Sequence, residues 1–149
     1  METSVSFADW VKNGWLVAHK SSKQEIANLL GIVTRDLKDT QAKDVSDDWR
    51  LAIAYNAALQ AATAALAAAG YRAGRDSHHY RVIQSLELTV GKDSKFIGAF
   101  DAFRKKRNVS SYDSGGGISH REVEEMIGIA QSLQHDVARR IRKNHASLL

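Results

Sequence analysis

The chain has 149 residues, 44% of them hydrophobic and 26% charged, with a formal net charge of +4. Such a length and composition suit one globular domain that buries its own core, and exclude a disordered chain. The absence of cysteine excludes disulfides, thiolate metal sites and a cysteine nucleophile; the charge is too mild to argue for nucleic acid by itself.

No proline interrupts the sequence, so long helices are permitted. "METSVSFADWVKNGW" lacks the pattern of a signal peptide, and no segment looks like about 20 unbroken apolar residues. A cytoplasmic protein without membrane contact is the expectation. The first helix is expected over 6–18, with Phe7, Trp10, Val11 and Trp15 as its apolar stripe. The second starts near Ser22, where Glu25 completes a capping box, and carries Ile26, Leu29, Leu30, Val33 and Leu37. The third opens after Ser46 or Asp47 and runs through an alanine-rich stretch to Ala69. Gly70 follows as a stop. So many small residues predict a central helix, packed on several sides, with Trp49, Ile53, Leu59 and Leu66 covered.

A fourth helix is expected from Asp76 or Ser77 to Gly91, and a fifth from Ser94 to Asn108. The last starts at Ser119 with Glu122 in a second capping box and runs to about Asn144. Its stripe is Val123, Met126, Ile127, Ala130, Leu133, Val137 and Ile141. The sum over residues 1–149 is a single all-α domain, an up-and-down bundle of four to five helices.

The segment "FDAFRKKRNVSSYDSGGG", residues 100–117, carries the functional interest. Phe96, Ile97, Phe100 and Phe103 form one helical face, and Arg104 and Arg107 continue it at its C-terminal end. Lys105 and Lys106 are expected to point toward solvent. An arginine on a buried face needs a partner. Candidates are internal, namely Asp36, Asp113 or a carboxylate of the last helix, or an external phosphate gripped by a planar guanidinium. Asn108 suits a helix end. Gly115, Gly116 and Gly117 form a loop before a helix N-terminus, where exposed N–H groups can hold an anion, although such loops are more often plain connectors. A second basic cluster, Arg139, Arg140, Arg142 and Lys143, suits the negative end of the last helix. His78 and His79 are neighbours about 100° apart on a helix and do not make a metal pair. His120 fits a solvated first turn. No metal-ligand or Walker spacing occurs, and no cofactor is expected.

"RKKRNVSSYD" resembles the signature of HEPN domains, in which Arg-Asn at a helix end is followed by His or, in some branches, Tyr. "AIAYNAALQAATAALAAAGYRAGRDSHHYRVIQSL" and "IVTRDLKDT" resemble further segments of that family, so the resemblance covers about 24–140. It implies a homodimeric helical bundle, RNA or a nucleotide as ligand, and in catalytic members metal-independent RNA cleavage. It also implies a possible pairing with a nucleotidyltransferase antitoxin. Carried over residue by residue, Arg107 and Asn108 match, Arg104 matches the upstream arginine, and Tyr112 stands where histidine is usual. Lys105 and Lys106 would add to phosphate binding, with Asp36 and Asp113 in support. Tyrosine has an ordinary pKa near about 10 and is a poor general base. The motif therefore favours phosphate binding over cleavage. Three readings remain open: a non-catalytic RNA- or nucleotide-binding module of this type, an active endoribonuclease toxin, and a plain helical interaction protein.

Overall fold

The computed structural model describes residues 6–110 and 118–149, and side chains outside 107–117 within them. Its helices are α1 (Phe7–Lys12), α2 (Lys23–Asp39), α3 (Asp47–Ala68), α4 (His78–Gln84), α5 (Leu86–Thr89), α6 (Ser94–Ser110) and α7 (His120–Asn144). Two short strands, β1 (Leu16–Ala18) and β2 (Tyr71–Ala73), and a 3-10 turn at Ala146–Leu148 complete the described chain. Among the described residues the domain is all-α apart from that strand pair.

The alanine-rich α3 is the axis. Ala54, Ala57, Ala58, Ala61, Ala62 and Ala64 are fully buried on it. Methyl side chains let neighbouring helices approach closely, and α2 and α7 lie along it. By length and composition α3 is apolar enough to cross a membrane, contrary to the expectation from the sequence. Its surface is instead largely covered by the bundle. Trp49, expected to be covered, is 68% exposed. It sits in the first turn, beyond the reach of the packed faces.

Helix punctuation follows the sequence closely at several ends. Ser46, Ser22 and Ser119 each accept a hydrogen bond from a backbone N–H three residues on. At Ser119 the box is reciprocal, because the Glu122 carboxylate accepts from the Ser119 N–H at 3.0 Å. At Ser22 it is only half formed. Both oxygens of Glu25 lie 2.9 Å from His19 Nε2, so the carboxylate ties β1's end to α2 instead. Gly70 (φ +100°) and Gly91 (φ +69°) take the left-handed conformation that stops α3 and α5.

Two helices expected from periodicity are interrupted. The first ends at Lys12, after which Gly14 turns the chain into β1, and Leu16 pairs with Ala73, Val17 with Arg72 and Ala18 with Tyr71, antiparallel. Three-residue strands are too short for an alternation signal. Trp10 and Trp15, edge to face at 5.5 Å, still share a cluster, and the Arg81 guanidinium lies 3.8 Å from the Trp15 ring centre. The fourth helix divides at Ser85, fully buried, whose hydroxyl donates to the Val82 carbonyl at 2.6 Å. The alternating Leu86, Leu88 and Val90 belong to the short α5 and its end. Ser77, at φ +52°, provides no side-chain cap for α4. Helix α6 runs two residues past Asn108, to Ser110.

The apolar stripes of α6 and α7 are buried as expected. Ile97, Phe100 and Phe103 lie in the core, as do Val123, Met126, Ile127, Ala130, Leu133, Val137 and Ile141. Each of these side chains except Ala130 contributes about 1.5–3 kcal/mol by leaving water. Phe100 is fully buried and meets the Tyr55 ring of α3 edge to face at 5.7 Å. With Ile97 and Phe103 it turns the apolar face of α6 inward and thereby sets where the residues after it fall.

Candidate functional site

Helix α6 places Asp101, Phe103 and Arg104 on the side facing the body of the protein. Asp101 is buried at 7% exposure, an unusual position for a carboxylate. Arg104 Nε lies 2.6 Å from Asp101 Oδ1, and Lys105 Nζ stands 3.8 Å from Oδ2. The carboxylate partner of Arg104 is therefore a residue of its own helix, none of the three internal carboxylates that the sequence suggested. The Asp101 carboxylate raises the Arg104 pKa above its ordinary value, chiefly through this hydrogen bond, against a smaller opposing effect of burial.

The rest of the site comes from α4. The Arg104 guanidinium stands 5.5 Å from the Tyr80 ring centre. Together Ser77, His78, His79, Tyr80 and Arg104 line an open cleft of about 550 Å³. His79 Nδ1 is 3.4 Å from the buried Tyr55 hydroxyl, and His78 Nδ1 is 3.2 Å from the Gly74 carbonyl oxygen. The two imidazoles are thus held from different sides, with ring centres 6.0 Å apart. Among the described residues no group of His, Asp and Glu is arranged to hold a metal ion.

Chemically, the cleft offers one guanidinium with donors left over, two imidazoles and a phenol. A guanidinium binds phosphate oxygens in a fork. Imidazole can give or take a proton near neutral pH. An aromatic face can stack on a base. The sequence missed Tyr80, His79 and Asp101 as neighbours of Arg104. The adjacent "HHY" was visible, but α4 and α6 meet only in the folded chain. His78 and His79 are both exposed, and Tyr71 is not among the residues that line the cleft. Tyr71 instead stacks on Phe7 at 4.7 Å.

The other expected site residues are dispersed. Lys105 is solvated, its side chain 70% exposed, but Lys106 is half-buried and ion-paired with Glu122 of α7, so it is not a free cation. This pair, with the Ser119 N–H in second place, lowers the Glu122 pKa. Asp36 is buried on α2 and accepts from Asn56 of α3 at 2.8 Å and from Arg35 at 3.0 Å. Its observed partners join α2 to α3. His120 is solvated, 3.6 Å from Asp47. Arg107 and Asn108 are on α6, but their side chains fall outside the described residues, as do Tyr112, Asp113 and the three glycines. Compared with known proteins, the chain matches no protein-family model, no curated protein and no solved structure.

Proposed function

We propose that this protein is a HEPN-type RNA- or nucleotide-binding module whose motif arginines hold a phosphate. The observation that carries the reading is the presence of Arg104, the upstream motif arginine, on one open cleft with His78, His79 and Tyr80. Arg104 keeps donors beyond the two directed at Asp101, and Arg107 follows it by one helical turn. A prokaryotic toxin–antitoxin or defence module, a homodimer and a nucleotidyltransferase partner belong to the same reading through the sequence resemblance. The test is fluorescence anisotropy with labelled single-stranded RNA at about 50 and about 200 mM salt. Wild-type binding should weaken steeply with salt. Arg104→Ala and Arg107→Ala should each lower affinity about ten-fold and reduce the salt slope by about one. Unchanged binding in both variants would overturn the reading.

A second reading, metal-independent RNA cleavage, is favoured by His79 in the same cleft. An imidazole from α4 can do the proton transfer for which Tyr112 is poorly suited. Cleavage in EDTA that His79→Ala abolishes would support it. An RNA substrate left intact by the wild type would leave binding as the function.

A further inference from the structure

Two cavities that adjoin at Arg140 make a two-part hollow that shares no residue with the Arg104 cleft. Its first part, about 180 Å³, has apolar walls from Ala65, Ala69, Leu88 and Ile141, with the polar side chains of Asn144 and His145 at its edge. Its second part, about 300 Å³, is lined by Asp136, Arg139, Arg140 and Lys143. Arg140 belongs to both. We propose that this double cavity is a nucleoside-phosphate site, with the base in the apolar part and the phosphate on Arg139, Arg140 and Lys143.

The charge balance supports an anion. Asp136 is the carboxylate in the basic part, and Lys92 already holds it in an ion pair. Lys92 keeps the Asp136 pKa below its ordinary value, mainly by that hydrogen bond, with Arg139 among the smaller contributors. Three cations are thus left facing the cavity. The C-terminal end of α7 carries the equivalent of about half a negative charge, which the cations complement. That complement needs less than the three of them supply. Arg140 is also pre-positioned. Its guanidinium donates to the Thr89 carbonyl at the end of α5, so it is fixed at the junction of the two parts with other donors unspent.

The apolar part decides between ligands. Inorganic phosphate would leave it unused. A plain hydrocarbon would leave Asn144 and His145 without a role. A flat ring with hydrogen-bonding edges uses both, since an amide side chain can pair with a base edge. The proposal is independent of the RNA-binding reading, and either can fail without the other.

Isothermal titration calorimetry with the four nucleoside 5′-monophosphates, adenosine and inorganic phosphate tests it. At least one nucleotide should bind about ten-fold tighter than either fragment. The double variant Arg139→Ala/Lys143→Ala, exposed at both positions and so tolerated by the fold, should lose about ten-fold in nucleotide affinity. Ala69→Leu, which fills the apolar part, should abolish base-dependent binding. Amide shifts on titration should appear at Ala69 and Asn144. No binding at millimolar nucleotide, a nucleotide no tighter than phosphate, or full affinity in the double variant would overturn the proposal.

Discussion

Arg104 and Asp101 pair within one turn of α6, at 2.6 Å, with the carboxylate more deeply buried than the guanidinium. The pair is local, yet it fixes how Arg104 meets Tyr80 across the cleft. Asp101→Asn should therefore lower stability by about 1–2 kcal/mol in urea unfolding, since a charged hydrogen bond is lost near the core. If Arg104 also serves phosphate, the same change removes a competitor for its guanidinium. RNA affinity should then hold or rise while stability falls. A parallel loss of both would mark Arg104 as purely structural.

Arg50 joins three helices. It donates to the Thr40 carbonyl at 2.9 Å after α2, to Asp47 at 3.2 Å at the start of α3, and to Glu124 of α7 at 2.9 Å. Glu124's hydrogen bond is the main reason its pKa is raised. Arg50→Ala should cost about 2–3 kcal/mol, and Arg50→Lys should recover only part, because an ammonium cannot span the same three acceptors. Thermal melts of the two variants check this ordering.

The depressed pKa of Asp136 makes its pairing with Lys92 acid-sensitive. The contribution is complete above the ordinary aspartate value of about 3.9 and is lost as pH falls through the lower folded-state value. Glu122 behaves alike through Lys106. The difference in urea midpoint between wild type and Asp136→Asn should be constant near neutrality and close below about pH 4. A gap that persists at pH near 2 would contradict the assignment of this pair.

The reciprocal box at Ser119 starts the longest helix of the described chain. Ser119→Ala should cost about 1 kcal/mol, read from denaturant unfolding. Ser22→Ala should cost less, because Glu25 is engaged with His19 rather than with the cap.

Close packing along α3 predicts intolerance of size. Ala62→Leu, at a fully buried position, should destabilise by about 1–3 kcal/mol through overpacking. A stability equal to wild type would mean that α3 has slack against its neighbours.

Much of this was written along the chain. The serine caps, the stops at Gly70 and Gly91, and the stripes of α6 and α7 depend on residues within a turn or two of each other, so local chemistry suffices to read them. The strand pair and the break at Ser85 were not legible, because β1 exists only by pairing with β2 more than fifty residues later. The same distinction divides the site. The sequence by itself placed Arg104 on the core-facing edge of α6 and singled out residues 100–117 as the candidate segment. Only tertiary structure decided that Asp101 is the ion partner, that Lys106 is taken by Glu122, and that His78, His79 and Tyr80 line the cleft beside Arg104. Helical periodicity reports which face a side chain takes. Which groups then meet across that face depends on how α6 docks against α3 and α4, where Phe100 meets Tyr55.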